Sequence, residues 1–337
     1  MTTSDKLATD LTRLWQMLDL ITPMALRVAA TLRIADHIQA GHDRMPDLAA
    51  RTGADPDALA RLLRYLVAHG VFTEPEPGRF GLDDLAELLL DSHPRASRRW
   101  LDLEGFGGRM DLAFFELLAT VRDGRPPHDG HKDSLTGEVA ASYDDVMESQ
   151  SRADAPALVA AFDWTGIEHV ADLGGGTGTF LATLLAAQPA LRGSLVELPA
   201  TADAAGRLLA EAGLAGRSQV VAGDLLQATL PRADLYVLKF VLHSFDDADA
   251  IRALERCRGA GGQDTRVLVI ERTLLAEGDR GEFTAMDMRM LILGHGRERT
   301  LEQYSDLAGR AGFALGKVTT VPAPYIRHLI ELHPLRG

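Results

Sequence analysis

The sequence predicts an α/β protein in which a helical N-terminal domain precedes a Rossmann-like, doubly wound C-terminal domain. Three observations lead to this fold class. A glycine-dense turn, Gly174–Gly178, joins an apolar strand to an amphipathic helix. From Val170 onward, short apolar runs alternate with helical patterns, as a mostly parallel sheet requires. Before that point helical spacing dominates. With 337 residues, 46% of them hydrophobic, the chain can build two cores.

The N-terminal helices are predicted from apolar residues that recur at helical spacing. After the first helix, Pro23 is expected to open the second. A third helix covers Met45–Gly53, where glycine closes it, and a fourth begins at Asp55 and Pro56 and runs to Gly70. The apolar positions of the first two helices are Leu14, Met17, Leu18 and Ile21, followed by Val28, Leu32, Ile34 and Ala35.

A small hairpin follows these helices and completes a winged-helix pattern. Its strands are Val71–Thr73 and Arg79–Leu82, and Pro77-Gly78 makes the turn. Such a pattern can bind DNA, but the would-be recognition helix offers only Arg61 and Arg64 among acidic neighbours. We therefore favour a structural or dimerising role for this domain.

The remaining elements follow in order after a polar loop at Arg122–Gly137. A helix at Tyr143–Ser151 carries Met147, and strands then alternate with helices. We predict three regions: 1–120 as the helical winged-helix dimerisation domain, 121–155 as linker and pocket helices, and 156–337 as the Rossmann-like domain. The predicted strands are Val170–Leu173, Ser194–Leu198, Gln219–Ala222, Leu235–Phe240, Arg266–Glu271, Ala314–Val321 and Tyr325–Leu332.

The composition argues against several classes of protein. A net charge of −13 and an isoelectric point near 5.3 disfavour a nonspecific nucleic-acid or anionic-membrane surface. No apolar run reaches the ~18 residues of a membrane span, and the polar stretch Met1–Asp10 does not resemble a signal peptide. The single cysteine, Cys257, excludes an internal disulfide framework. We expect a cytoplasmic protein without nucleic-acid or membrane partners.

The turn at Asp172–Gly178 predicts a site for a nucleotide-like ligand. Glycines such as Gly174 and Gly176 let the backbone adopt positive φ and approach a ligand, while the helix N-terminus presents free N–H groups. Glu197 ends the next strand, and a carboxylate about 20 residues after such a turn can accept both ribose hydroxyls. No Lys-Ser or Lys-Thr pair follows the glycines, which argues against a P-loop. We therefore predict a site for S-adenosylmethionine (SAM).

The third and fourth strand ends place further polar candidates at the same edge of the sheet. Asp224 can accept a hydrogen bond from an adenine amino group and Leu225 can pack on the ring; the alternative is an aspartate that only caps a helix. His243 follows the fourth strand. Because imidazole titrates at about pH 6.5, it can remove a phenolic proton at neutral pH. A packed or surface histidine is the alternative, but this position favours a general base.

On these residues the chain resembles the class II, caffeate-type small-molecule O-methyltransferases, and in particular bacterial members that tailor aromatic polyketides and anthracyclines. Ile21–Ile38 resembles the dimerisation segment of the anthracycline group. Asp172–Gly178 matches the methyl-donor loop, and Arg297–Thr300 with Leu307–Phe313 matches the late signature of the family. The resemblance implies a homodimer that uses SAM and releases S-adenosylhomocysteine (SAH).

The resemblance also implies roles by position. His243 falls on the catalytic histidine of the family, and Glu271 and Glu298 fall on the two acids that flank and orient it. His243 would take the hydroxyl proton while the oxygen attacks the donor methyl, so that the site contributes mainly orientation and proximity, without a metal. The residues at donor-binding positions are Gly174, Glu197, Asp224, Leu225 and Lys239.

Two departures from the family pattern stand out. The family usually has His-Asp-Trp where this chain has His243-Ser244-Phe245, so an acid beside the base is missing. Glu197 stands where the ribose-binding acid is usually aspartate. Some anthracycline-group relatives keep the donor site but act as hydroxylases or decarboxylases, and others steer pericyclic reactions. Since His243 is retained, we favour methyl transfer; a repurposed enzyme is the alternative, and a winged-helix DNA-binding regulator a distant one.

The acceptor pocket is predicted between the two domains. Methionine and aromatic side chains of this kind suit a flat, apolar, aromatic acceptor, although each residue taken singly could equally belong to a helix core. The sequence does not name the acceptor. The candidate pocket residues are Phe114, Phe115, Met147, Phe283, Met286, Met290 and His295.

Overall fold

A computed structural model describes residues 3–93, 97–127, 137–274, 280–322 and 326–335. The chain divides into two compact units, Met1–Arg109 and Met110–Gly337. No helix in the described ranges is long and apolar enough to cross a bilayer.

The first unit is helical except for one hairpin, as predicted. Its antiparallel strands pair Phe72 with Leu82 and close at Glu76 and Arg79. In chain order, the elements are α1 (Thr3–Met17), α2 (Ile21–Thr31), α3 (Ile34–Gln39), α4 (Met45–Thr52), α5 (Pro56–Ala68), β1 (Phe72–Glu76), β2 (Arg79–Leu82), α6 (Asp84–Glu87) and α7 (Ser97–Leu101); α8 (Phe106–Leu112) crosses the division between the units.

The second helix departs from the prediction at both ends. It begins at Ile21 rather than Pro23, because the Asp19 carboxylate accepts the Ile21 N–H at 2.8 Å and caps the first turn. It ends at Thr31 because Arg33 adopts a left-handed φ of 54°. The chain bends there, and α3 buries Ile34, so the continuous helix predicted through that residue is wrong.

Apolar side chains on and just after α1 are left outside the core of this unit. Leu14, Met17, Leu18 and Ile21 are each more than half exposed. A contiguous apolar surface of this kind usually marks an interface. On α5, Arg64 lies 3.8 Å from Glu74, so its charge is offset by a neighbouring acid.

The second unit is a seven-stranded sheet with helices along it. Its elements in chain order are α9 (Leu117–Asp123), α10 (Gly137–Ala161), β3 (His169–Leu173), α11 (Thr179–Ala187), β4 (Arg192–Glu197), α12 (Pro199–Glu211), β5 (Ser218–Ala222), β6 (Leu235–Lys239), α13 (Asp247–Gly261), β7 (Arg266–Glu271), β8 (Thr273–Leu274), α14 (Arg280–Leu293), β9 (Arg299–Thr300), α15 (Leu301–Arg310), β10 (Phe313–Val321) and β11 (Arg327–Pro334).

The strand order is β10-β11-β7-β6-β3-β4-β5, and only the pairs made by β11 are antiparallel. This doubly wound sheet confirms the predicted fold class. Predicted and observed strand ends differ slightly: β4 begins at Arg192, and β6 stops at Lys239 because Phe240 turns left-handed. The last strand ends at Pro334, and its predicted start at Tyr325 lies outside the described residues.

Helix α10 is much longer than the predicted Tyr143–Ser151 segment, because it spans 25 residues and includes Pro156. A proline in a helix interior removes one hydrogen bond, which hides the continuation from sequence patterns. The helix is held by burial of Ala155, Leu158 and Val159 against the sheet core. It therefore runs through the boundary predicted at residue 155.

Candidate active site

Three glycines shape the turn between β3 and α11. Gly174, Gly176 and Gly178 have φ values of 68°, 58° and 86°, a region that favours glycine. A Cβ atom on Gly174 would lie 2.8 Å from Val241, so the turn packs tightly there. At Gly176, no described residue other than the chain neighbours has an atom within 4 Å of the same position. The turn is therefore closed toward the sheet and open at Gly176, where a ligand can approach the backbone.

Glu197 ends β4 beside this turn and is bound to it. One carboxylate oxygen accepts the Gly176 N–H at 2.8 Å, and the other accepts the Leu198 N–H at 2.8 Å. The acid predicted to hold ribose thus also fixes the glycine turn.

Asp172, the last acid before the glycines, is buried directly beneath the turn. Neither of its carboxylate oxygens has a hydrogen-bond partner among the described residues, and a Cβ atom on Gly175 would lie 2.6 Å from one of them. Burial raises the pKa of Asp172 to about 7, with a further increase from Glu197 and an opposing effect from Lys239. A buried acid without partners at a ligand site is a candidate functional group, and its place in the turn motif was the only signal in the sequence.

Asp224 and Leu225 follow β5 at the same edge. One oxygen of Asp224 accepts the Leu226 N–H at 2.8 Å, so this aspartate caps a turn and not the helix that the alternative interpretation had expected. Leu225 is buried, and its carbonyl accepts a hydrogen bond from Arg256 Nε at 2.9 Å. The loop is therefore rigidly held, and the predicted contacts with adenine stay predictions.

Lys239, at the end of β6, belongs to a buried charge cluster. Its Nζ lies 3.2 Å from Asp154 Oδ1 and donates to Ser151 Oγ at 3.3 Å, and Asp154 Oδ2 lies 3.2 Å from Arg327 Nε. Burial lowers the pKa of Lys239, and the negative charge of Asp154 partly offsets this decrease. The sequence pattern pointed to Lys239 but not to Asp154 or Arg327, which come from α10 and β11.

His243 lies in a short 3₁₀ turn, Leu242–Ser244, just after β6. Its Nδ1 lies 2.8 Å from Glu298 Oε1 and 3.8 Å from Glu271 Oε2, and its backbone N–H donates to Glu271 Oε1 at 3.2 Å. Burial lowers the pKa of His243, but the two carboxylates outweigh it and raise the pKa above its ordinary value. For the carboxylic acid Glu271 burial acts in the opposite direction and raises the pKa to about 7. The structure thus brings together the three residues predicted to be catalytic.

The turn that carries His243 is held by a buried arginine. Arg299 NH1 donates to the Leu242 carbonyl at 2.7 Å, and NH2 donates to the Phe245 carbonyl at 2.8 Å and to Asp247 at 2.8 Å. One guanidinium therefore binds both ends of the turn and the start of α13. Arg299 lies within the late signature motif, but its contact with this turn could not be read from the sequence.

The segment just before Arg299 packs on the other side of the same turn. Arg297 N–H donates to the His243 carbonyl at 2.8 Å, and a Cβ atom on Gly296 would lie 2.3 Å from that carbonyl. Only glycine allows so close an approach. The positions of His243 and Glu298 are therefore fixed relative to each other by the backbone as well as by their side chains.

The candidate pocket residues come from four parts of the second unit, and His295 lies in the loop after α14. Phe114 and Phe115 lie in a 3₁₀ turn (Ala113–Glu116) that packs against α14. Phe283 is buried on α14, whereas Phe115 and His295 are exposed. The other members are partly buried: Phe114, Met147 on α10, and Met286 and Met290 on α14.

Comparison with known proteins identifies the family. Residues 122–314 match the model of an O-methyltransferase domain, and residues 15–92 match an O-methyltransferase dimerisation domain. The chain belongs to the O-methyltransferase family. As a member of it, this protein carries His243 between its two acids but has Ser244 and Phe245 after it, and Arg299 holds the Phe245 carbonyl.

Two bacterial relatives are equally similar to this O-methyltransferase. The 2,7-dihydroxy-5-methyl-1-naphthoate 7-O-methyltransferase of Streptomyces carzinostaticus is 42% identical over 304 residues, which cover 88% of this chain and 91% of that protein. Aclacinomycin 10-hydroxylase RdmB of Streptomyces purpurascens is 42% identical over 319 residues, which cover 90% of this chain and 84% of that protein. The family therefore includes a relative with a different reaction at the same level of similarity.

A solved structure extends the likeness to the whole fold. The O-methyltransferase NcsB1 from neocarzinostatin biosynthesis, crystallised with SAH and 1,4-dihydroxy-2-naphthoic acid, superposes with a TM-score of 0.86 at 40% identity. The match covers 96% of this chain and 98% of that one.

Proposed function

We propose that this protein is a SAM-dependent O-methyltransferase that methylates a hydroxyl group of an aromatic, polyketide-like secondary metabolite, with His243 as general base. The observation that carries the proposal is the bond between His243 Nδ1 and Glu298 at 2.8 Å, beside an open glycine turn. The match of residues 15–92 to a dimerisation domain supports a homodimer. The single, buried Cys257 supports a cytoplasmic location.

The residues at the sheet edge fit the methyl donor. Gly176 leaves open space at the turn, the Glu197 carboxylate is bound beside it, and Asp172 offers a buried carboxylate that has no hydrogen-bond partner among the described residues. Asp224 and Leu225 would hold the adenine end. When bound, SAM supplies an electrophilic methyl group on a sulfonium. The NcsB1 complexes with SAM and SAH support the same ligand here.

The geometry of His243 suits it to proton removal. With Nδ1–H donating to Glu298, the imidazole is fixed as the tautomer whose Nε2 is an acceptor. Nε2 would take the proton of the acceptor hydroxyl, and Glu298 and Glu271 would stabilise the imidazolium that forms. The carboxylates raise the pKa of His243, which strengthens it as a base. The buried turn also holds His243 in a fixed orientation toward the acceptor hydroxyl, which further contributes to the rate.

The acceptor is proposed to be a flat phenolic ring system. The relatives named above act on a dihydroxynaphthoate and on an aclacinomycin. The aromatic and methionine side chains of α14 and the adjoining 3₁₀ turn suit such a surface.

A second candidate function rests on one observation, the 42% identity to a named hydroxylase. In that case the protein would bind SAM without consuming it, and the product would gain no methyl group.

Product mass distinguishes the two functions. The purified protein is incubated with SAM carrying a deuterated methyl group and a panel of naphthoates and anthracycline phenols. We expect the mass of one deuterated methyl in the product and formation of SAH in equal amount. A product without that mass, with SAM retained, would reject methyl transfer in favour of the repurposed enzyme.

A further inference from the structure

Phe240, between the donor lysine and the catalytic histidine, has an unfavourable backbone conformation. Its φ is 55°, and in the described ranges only Arg33 shares this region among non-glycine residues. Left-handed φ is costly for a bulky side chain. The conformation is fixed by a hydrogen bond from Phe240 N–H to the Ile270 carbonyl at 3.0 Å. A glycine or asparagine would adopt this φ more easily, so the aromatic ring itself requires an explanation.

The ring lies between a buried charge cluster and the base. The Arg327 guanidinium carbon lies 4.5 Å from the ring centroid, and Lys239 Nζ lies 5.3 Å from it. The ring of His243 is 5.5 Å away, centroid to centroid, at an interplanar angle of 55°. The π face of an aromatic ring attracts cations. Phe240 is therefore in contact with both cations on the donor side and with the imidazole.

The cations that contact Phe240 are themselves fixed. Asp154 lies 3.2 Å from both Lys239 Nζ and Arg327 Nε, and the side chains of Asp154 and Arg327 are almost fully buried. This ion-paired cluster joins α10 to β6 and β11. Because the ring lies against it, the ring is held by contacts with three elements of the fold as well as by its own backbone.

We propose that Phe240 is a positioning residue for methyl transfer, whose ring transmits the location of the Asp154 cluster to His243 and keeps the two cations away from the imidazole. This inference rests on the proposed function. It accounts for the presence of a strained phenylalanine where glycine would fit the backbone better. Electrostatically, His243 is acted on by Glu271 and Glu298, which raise its pKa, and by Arg272, which lowers it.

Four variants test the proposal. Phe240→Gly relieves the strain and removes the ring, Phe240→Leu keeps the strain and an apolar side chain, and Phe240→Tyr keeps the ring. Arg33→Gly is the matched control, because it relieves the same left-handed φ in the other unit. Measured quantities are kcat, the Kd for SAH, Tm, and the proton affinity of the His243 imidazole by NMR titration.

We expect Phe240→Gly and Phe240→Leu to lower kcat by at least about 10-fold while the Kd for SAH stays within about twofold, as for a group that orients the base. The proton affinity of His243 should fall about threefold or more, because the cations are less well separated from it. Phe240→Tyr should retain kcat within about threefold. Arg33→Gly should leave kcat unchanged.

The proposal is overturned if Phe240→Leu keeps the wild-type kcat, or if kcat and SAH affinity fall together. Unchanged proton affinity of His243 in both ring-free variants also overturns it. Should Phe240→Gly not fold, Phe240→Leu and Phe240→Tyr decide the matter. If the wild type transfers no methyl group, the proposed function fails, but the NMR titration still tests whether Phe240 positions His243.

Discussion

At the scale of single residues, the site is a set of buried acids whose charges depend on one another. His243 is held by Glu298 and Glu271, and Asp172 lies under the glycine turn with no hydrogen bond to any described residue. Such groups bind protons differently in the folded and unfolded chain, so their substitution should change the pH dependence of rate or stability.

His243→Ala tests the base directly. We expect kcat to fall by about 100-fold or more, the usual contribution of general-base catalysis, while SAH affinity stays unchanged. Wild-type kcat should rise with pH, because only the neutral imidazole accepts a proton. The raised pKa of His243 places this rise above the ordinary imidazole value. The variant should lose the rise and should regain part of the rate on a more acidic phenol. If His243→Ala methylated a weakly acidic phenol at the wild-type rate, the assignment of His243 as the general base would be contradicted.

Glu298→Gln separates charge from orientation. A glutamine oxygen can still accept the hydrogen bond from Nδ1, but the negative charge that raises the pKa of His243 is removed. The rise of kcat with pH should therefore move to lower pH, and the plateau should fall by less than in His243→Ala. Initial-rate profiles against pH measure both effects. An unshifted profile would mean that Glu298 does not act on the imidazole through its charge.

Asp172→Asn should change how stability varies with pH. The folded pKa of Asp172 is about 7 against an ordinary 3.8. Between these values the unfolded chain has lost the proton while the folded one keeps it. The contribution of Asp172 to the free energy of unfolding should therefore decrease as pH rises through this window, by on the order of 4 kcal/mol.

The asparagine cannot ionise, so Asp172→Asn should lack this decrease and gain stability relative to the wild type at pH above about 7. Urea unfolding followed by circular dichroism measures the difference. Asp203→Asn, which changes an exposed acid on α12, is the control. An equal difference between variant and wild type at low and high pH would rule out a buried, proton-linked Asp172.

At the scale of elements, most of the sheet was predictable because buried parallel strands appear as short apolar runs that end in polar residues. The acids and the histidine at those ends, Glu197, Asp224 and His243, followed from that rule. Asp154 and Arg327 did not, because each lies far along the chain from the lysine it serves. The full length of α10 was also missed, because Pro156 interrupts its pattern.

Two glycines of neighbouring elements make a matched test of the turn that holds His243. At Gly296 a Cβ atom would lie 2.3 Å from the His243 carbonyl, whereas at Gly309 in α15 it would meet open space. Gly296→Ala should destabilise the protein by roughly 1–3 kcal/mol through overpacking and lower kcat by displacing the base. Gly309→Ala should stabilise it by roughly 0.5–1 kcal/mol without affecting kcat. Thermal unfolding and initial rates measure the stability and the kcat of both variants. If Gly296→Ala and Gly309→Ala had the same effects, the close packing at Gly296 would be contradicted.

At the scale of the whole molecule, the apolar residues on and after α1 make a surface that a second copy would cover. The match of residues 15–92 to a dimerisation domain agrees with this prediction. Two-fold dimers are the commonest assemblies of this kind. The N-terminal unit is therefore better explained as an interface than as a DNA-binding module.

Leu14→Lys combined with Leu18→Lys should yield a monomer, because two charges one helical turn apart would be buried without partners in the interface. Thr9→Lys, an exposed polar position on the same helix, is the control. Light scattering after size exclusion gives the mass of each variant. A stable dimer with both lysines in place would show that this surface is not the interface. Removal of residues 1–35 should give aggregated protein.

The sequence separation of the catalytic contacts has a consequence for folding. His243 meets Glu271 and Glu298 only after segments of 28 and 55 positions have closed, and Arg299 reaches back 57 positions to Leu242. Helices form from neighbouring residues within microseconds, whereas loop closure must precede any gain from distant contacts. The donor site has the same requirement, because Lys239 is held by Asp154, which pairs with Arg327 at a separation of 173 positions. Neither the donor site nor the base is therefore complete until the last strand of the sheet has joined it.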